Sequence, residues 1–474
     1  MSMQSASISI SPNNTYDTIV IGSGLGGLTC AKRLADAGHK VLLLEQHFQL
    51  GGLATWFKRG GHIFDVSLHG FPYGMVKTCK KYWGKTIQNA IVQLKNIVFD
   101  NPQFSLTTTF SKDDFIHLLQ ERFSVAETVV REFFATIEGM NFYDDQRMRT
   151  RELFERFFPG RGDIHRLLME PISYANGSTL DEPAITYGIV FSNFMNRGVF
   201  TFQGGTDRLI ALMEHELRQR DVEIRTSARV DQIVLENGRT KGVILDGGFI
   251  PARAVVSNAG ITNTVDKLVG RAAFAEDFRR RFNEVRVNNS SSQVYFGIRK
   301  GETIADIGDL LFTSTETNFT SEALRDLNTK SRTFSVYYPK TRPEAPPDYT
   351  IVASMNANYD DWAGLEQEEY AHEKEQMVER CLIDLERYLP DVRSKIDVIE
   401  SATPLTFQRY TLHSKGTSFG TKFEGLDISR CLHKEVGGLF HVGSVGIIMS
   451  GWLGAINYGV IVANDVDSWL RETA

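Results

Sequence analysis

Two short apolar runs frame the start of the chain. Residues 17–21 (DTIVI) form the first, and Lys40–Glu45 (KVLLLE) forms the second. Between them Leu28, Ala31, Leu34 and Ala35 recur at helical spacing until Gly38. Continuous apolar runs on either side of an amphipathic helix predict a βαβ unit whose parallel strands are covered on both faces. From 76 to 198 the pattern predicts mostly helix, with Asp113–Met140 as one long amphipathic segment and 150–169 continuing the trend. The character changes again at Gly204-Gly205, which opens a predicted helix over 206–219. Then come VEIRT, RVDQIVLE, TKGVILD and RAVVS, with Asn237-Gly238 between the second and third runs. Asn-Gly between alternating runs predicts a hairpin, because both residues tolerate the positive φ of a tight turn. Residues 263–429 read as mixed, with strands near 292–298 and 333–338 and a charged helix over 366–388. Leu439–Val442 predicts a last strand and 451–470 a last helix.

This order predicts an α/β chain: a Rossmann-type dinucleotide domain in three pieces (16–75, 199–262 and 430–474). A mixed α+β substrate domain is inserted between them as 76–198 and 263–429. A chain of 474 residues, 42% of them hydrophobic, is long enough for two such cores. A net charge of −6 gives no electrostatic case for nucleic acid, and the run Arg279–Arg281 reads as a solvated helix face. Cys30, Cys79, Cys381 and Cys431 show no metal-ligand spacing, so neither a disulfide framework nor a zinc site is expected, and a reducing, cytoplasmic setting is. The first sixteen residues are polar and read as a disordered leader. No run of apolar residues is long enough to span a bilayer. Thirty-one Phe and fifteen Tyr suggest either a well-filled core or a large apolar cavity. The segment GIVFSNFMNRGVFTF, ending at Phe202, is apolar enough to rest in a membrane interface, which makes peripheral contact a second expectation.

The chemistry begins at Gly22-Ser23-Gly24-Leu25-Gly26-Gly27. Here the first glycine permits a tight turn and the second admits a diphosphate close to the backbone. The third lets the helix pack on the strand, so that phosphate meets the helix N-terminus. Glu45, at the end of the second strand, is placed to accept hydrogen bonds from ribose hydroxyls. Gly51-Gly52 would let backbone pass close to a bulky ligand. Near the other end, Leu439–Gly443 leads into a loop and a helix at Gly451, whose N-terminus could face a flavin pyrimidine ring. That second return favours FAD over a nicotinamide cofactor.

The stretch GSGLGGLTCAKRLADAGHKVLLLEQHFQLGGLATWFKRGGHIFDVSLHGF resembles the phytoene desaturase, carotenoid isomerase and retinol saturase group. The segments FQGG (202–205), AVVSNAG (254–260, containing Asn258), TPLT (403–406) and GGLFHVGSVGIIMSGWLGAINYG (437–459) follow in that family's order. The resemblance implies FAD held by Gly22, Gly24, Gly26, Gly27, Glu45, Gly51 and Gly52. Val230 and Asn258 would stand near the adenine and diphosphate, and Gly443, Ser444, Ser450, Gly451 and Trp452 near the flavin ring and ribityl chain. Ser444 stands where the family usually has Asp, which implies weaker flavin binding. Leu53 stands where amine oxidases usually carry Arg. His69 occupies a spacing at which retinol saturases carry a histidine, and Asp65 reads as a turn anchor. The implied activity is redox chemistry, or redox-assisted isomerisation, at a carbon–carbon bond of an apolar isoprenoid or polyene. His69 or Tyr73 would serve as proton donor, and an electron partner that the sequence does not identify would be required. A fatty acyl or amine substrate, or a catalytically degraded binding protein, are the competing expectations.

Overall fold

The computed structural model describes residues 15–141 and 147–473. The leader up to residue 14 lies outside the described residues, and Tyr16 already belongs to the first strand. That strand, Tyr16–Ile21, lies parallel between Val41–Leu44 and Gly248–Ser257, and Glu223–Arg225 adds to the far side of Val41–Leu44. The strand Gly248–Ser257 does two jobs. Its start pairs antiparallel with Arg239–Leu245, while its end pairs in parallel with both Tyr16–Ile21 and Leu439–His441. The sheet therefore draws on the beginning, middle and end of the chain, as the patterning predicts. The Asn237-Gly238 turn has positive φ at both residues (52° and 72°) and joins Val230–Glu236 to Arg239–Leu245.

A second seven-stranded sheet lies in the inserted segments. Its order is Ile396–Ala402, Ser290–Ile298, Thr350–Ala357, Ser331–Tyr337, Leu310–Ser314, Ile97–Asn101 and Phe104–Thr108. One face carries Val294, Phe296, Phe334 and Ile351 against the helix Gln367–Glu386 through Met377, Cys381 and Leu385. The two strands at 97–108 fall in a stretch whose pattern predicts helix. The long helix expected over Asp113–Met140 is two helices, Lys112–Glu121 and Glu127–Gly139, broken where Ser124 takes φ 55°. The amphipathic period continues across the break because both pieces bury their apolar faces in one core.

That core accounts for much of the aromatic excess. Phe99, Phe115, Phe133, Phe134, Phe154 and Phe191 pack together among the helices of 112–195. The segment ending at Phe202 belongs to the same interior: Phe191, Phe194, Met195 and Val199 are buried in this cluster, and Phe200 and Phe202 in the core of the first domain. Its apolar side chains are thus used inside the protein. No helix among the described residues is long and apolar enough to cross a membrane. Arg280 and Arg281 both pair with Asp277 on the exposed helix Glu276–Asn283, as a solvated face requires.

The two domains are tied together at Asp65. Its carboxylate is 1% exposed and accepts from the Thr206 amide (2.7 Å), from the Thr206 hydroxyl and from Arg342 (2.7 Å). Arg342 also donates to Gly204 O (2.9 Å) and to Asp207 (2.5 Å), so one guanidinium from the inserted domain closes the start of helix Gly205–Arg218. Removing one member of a buried ion pair leaves the other uncompensated. Arg342→Met is therefore expected to cost about 3 kcal/mol in urea unfolding of the FAD-loaded protein. A loss below about 1 kcal/mol would show that Thr206 alone suffices for Asp65.

Candidate active site

The first helix, Leu25–Asp36, starts directly at the glycine turn. Gly22 has φ 93°, a conformation that side chains rarely accept. A Cβ on Gly27 would stand 2.1 Å from Gly22 O, so the helix can sit this close to the strand only without a side chain there. The first turn of the helix has neither a capping side chain nor an acidic residue. Its open N–H groups and positive dipole end border a cavity of about 1020 Å³ lined by Gly22, Gly24 and Gly26. An anionic diphosphate fits that cradle. Gly51-Gly52 closes against it: the Gly51 amide donates to Ser23 O (3.1 Å), and a Cβ on Gly52 would meet Gly24 Cα at 2.9 Å.

Glu45 is 6% exposed and lines the same cavity. One carboxylate oxygen accepts from the Ser23 amide (2.8 Å) and hydroxyl (2.6 Å), the other from the His47 amide (2.9 Å). These bonds fix the carboxylate where ribose hydroxyls are expected. Ser23, to which the sequence analysis assigns no role, is the residue that orients it. Val230 lines the wall beside Ala228 and Arg229, and Asn258 lies between the glycine turn and the last strand. Hydrogen-bonding partners set the Asn258 amide with its oxygen on the Gly24 N–H (3.0 Å) and its nitrogen on Val442 O (3.2 Å).

The C-terminal helix, Gly451–Glu472, supplies the second helix start. Its first turn also lacks a capping side chain and acidic residues, and Ser450, Gly451 and Trp452 line the cavity together with Ser444. The loop before it contains Ile447 at φ 64°, with the Ile448 amide donating to Gly446 O (2.5 Å). A β-branched residue in this γ-turn is strained, and such strain concentrates at ligand sites. Gly443 is placed differently from the expectation. It does not line the cavity, and a Cβ there would stand 2.6 Å from Ala259 O. Its role is close packing behind the wall. Gly27 likewise serves packing rather than contact.

Trp452 connects this helix to the segment carrying His69. Its indole N–H donates to Ser67 O (3.1 Å), and its ring stacks on Phe71 with centroids 5.5 Å apart. Tyr337 donates to Leu68 O (2.5 Å), so the backbone on the N-terminal side of His69 is pinned as well. The imidazole lines the cavity, with Nδ1 2.8 Å from Ser335 Oγ and Nε2 3.2 Å from Gln293 Nε2. Gln293 is oriented by donating to Val66 O (3.0 Å) and by accepting from the Tyr295 hydroxyl. Its amide nitrogen can only donate, so His69 Nε2 accepts and Nδ1 carries the proton. Burial lowers the His69 pKa from 6.5 to about 4. His69 is thus a neutral imidazole, not the acid expected from the sequence. Tyr73 is a further correction: it does not line the cavity, and its ring and hydroxyl face Arg197, 4.6 Å from the centroid and 3.4 Å from the oxygen. Gln293 and Tyr295, which the sequence does not single out, take the place beside His69.

A diphosphate cradle, an anchored ribose carboxylate and a second helix start on one cavity define an oxidoreductase fold for a dinucleotide flavin. A model of the flavin containing amine oxidoreductases matches residues 25–444, and the chain belongs to that family. With the dinucleotide crevice described above, its flavin is FAD. Prolycopene isomerase of Daucus carota is 25% identical over 456 residues, covering 86% of this chain and 72% of the relative. Phytoene desaturase of Fusarium fujikuroi is 26% identical over 302 residues, 56% of this chain and 52% of the relative. The solved structure of an oxidoreductase from Methanosarcina mazei superposes with a TM-score of 0.68 at 18% identity, covering 94% and 99% of the two chains.

Two outcomes follow for the site. Gly24→Val places branched carbons against the Asn258 amide, which a Cβ alone would approach to 2.7 Å, and against the diphosphate path. The purified variant is expected to lose most of its flavin absorbance, and a fully yellow, equally loaded protein would refute the cradle. Because His69 stays neutral until about pH 4, the pH profile of kcat/KM is expected to show no His69 inflection near 6.5. An inflection there that disappears in His69→Gln would contradict the neutral assignment.

Proposed function

We propose that this flavoenzyme acts on a carbon–carbon bond of a long polyene or isoprenoid. The observation that carries this reading is the charge distribution around the cavity. The lining residues of 97–194 and 291–356 form a substrate half without charge, from Ile97, Phe110 and Ile172 to Phe194, Leu310 and Phe312. The two charged lining residues of the inserted domain lie apart from it, Lys267 beside the strand Val230–Glu236 and Glu400 paired with Arg59 (2.8 Å). An amine would need a carboxylate in this half and a fatty acid a cation, because an unpaired ligand charge is costly away from water. The relatives named above, a polyene isomerase and a polyene desaturase, support the same substrate class.

When bound, FAD supplies hydride exchange at the ring, and the chain supplies the rest. The uncharged walls, apolar on the helical side through Phe110, Ile172 and Phe194, hold an extended chain. Trp452 and Tyr337 fix the His69 segment at the junction between flavin wall and substrate wall. With its proton held on Nδ1 by Ser335, His69 has one acceptor, Nε2, which takes a hydrogen bond from Gln293. For it to take a proton from a substrate carbon or return it, that N–H gives way, and Ser354 Oγ at 3.1 Å offers it another acceptor. Gln293 and Tyr295 keep that nitrogen oriented. The test is turnover of a polyene by FAD-loaded protein with a supplied electron acceptor or donor. His69→Phe is expected to lower kcat roughly 10²-fold while flavin content stays unchanged. Unchanged turnover removes His69 from the proton path.

A further inference from the structure

The sheet wall of the substrate half is uncharged but not apolar. Ser291, Gln293, Thr333, Ser354 and Asn356 all line the cavity from three neighbouring strands. A pure hydrocarbon would leave such a wall dry and unanswered. Most of these groups are answered within the protein: Ser291 Oγ lies 2.9 Å from Ser418 Oγ, and Ser354 Oγ lies 3.1 Å from Gln293 Nε2 and 3.5 Å from His69 Nε2. Two amides are not fully answered. Asn356 is 5% exposed and donates through Nδ2 to Ser173 O (3.0 Å), which fixes its orientation. Its Oδ1 then has no protein partner among the described residues. Asn176 is 3% exposed, and its Oδ1 accepts from the Ser178 amide (2.9 Å), which fixes it the other way round. Its Nδ2 is buried without a partner.

The two amides belong to one place. Ser173, held by Asn356, and Asn176 are a single turn apart at the end of helix Gly162–Asn176, and both asparagines line the cavity. That turn is held firmly. Asn288 donates to Asn176 O (2.9 Å), Lys422 donates to Gly177 O (2.8 Å), and a Cβ on Gly177 would meet Asn289 Oδ1 at 2.2 Å. One unanswered acceptor and one unanswered donor are therefore held on a fixed scaffold, and the cation beside it, Lys422, is already paired with Glu182 (3.3 Å). A carboxylate would answer only the donor and would bring an unpaired charge. A ketone would also answer only the donor. A hydroxyl donates once and accepts once, and so matches both.

We propose that Asn176 and Asn356 form a subsite for a substrate hydroxyl, so that the substrate is a polyene or isoprenoid alcohol. This rests on the polyene reading above and narrows it. The test uses FAD-loaded enzyme and flavin absorbance to follow titration with two probes of equal chain length, an acyclic polyene hydrocarbon and its monohydroxy derivative. The alcohol is expected to bind at least about tenfold more tightly. Asn356→Leu and, independently, Asn176→Ala are expected to abolish that preference while hydrocarbon affinity is kept. Equal binding of both probes to the unaltered enzyme overturns the subsite and leaves the polyene reading standing, and this comparison needs no variant to fold. A preference that survives both substitutions also overturns it. Failure of both probes to bind at all overturns both readings together.

Discussion

The site depends on one constraint, the direct contact of backbone with backbone around the glycine turn. The first helix approaches the first strand so closely that a single methyl at Gly27 would lie 2.1 Å from Gly22 O. The same closeness recurs on two further sides. Gly52 sits against Gly24, and Gly459 of the final helix sits where a Cβ would be 2.6 Å from Gly26 O. Three separate segments, two near the start of the chain and one near residue 459, therefore stack on one another without side chains between them. This stacking brings both helix starts to a single cavity and leaves their amides free for an anion.

Much of this was legible in the sequence because it is local. The apolar runs at 17–21 and 40–45, the glycines between them and the Asn237-Gly238 turn each encode their structure within a few residues. Glu45 follows from its place at the end of a strand. The inserted domain was less legible. Ile97–Asn101 and Phe104–Thr108 are five residues each, too short for their period to stand out beside the helices that follow. They are held as strands by a sheet whose next strand, Leu310–Ser314, comes some two hundred residues later. The break at Ser124 is hidden because helices on both sides share an apolar face. Gln293 and Tyr295 escaped notice for the same reason, since a glutamine in a strand shows nothing of the histidine it meets 224 residues away.

The cavity has two electrostatic characters along its length. The dinucleotide wall carries Glu45 and two helix starts, which suit phosphate and sugar. The segments 97–194 and 291–356 of the inserted domain contribute hydroxyls, amides and rings but no charge. The neutrality of His69 belongs to this second character. Burial disfavours the imidazolium, and Gln293, which offers a donor rather than a carboxylate, gives the cation no compensation. Proton handling and hydrocarbon binding thus draw on the same low polarity, and a charged residue introduced to strengthen one would disturb the other.

The Arg342 tie has a mechanical consequence. By binding Asp65, Asp207 and Gly204 O at once, it fastens the inserted domain to the dinucleotide domain beside the segment that carries His69. Opening the two domains like a jaw would expose the Asp65 carboxylate and unseat the start of helix Gly205–Arg218. With the two domains fastened there, the cavity walls contributed by each are held at a fixed spacing, so the width left for a ligand is set by the fold and not by closure.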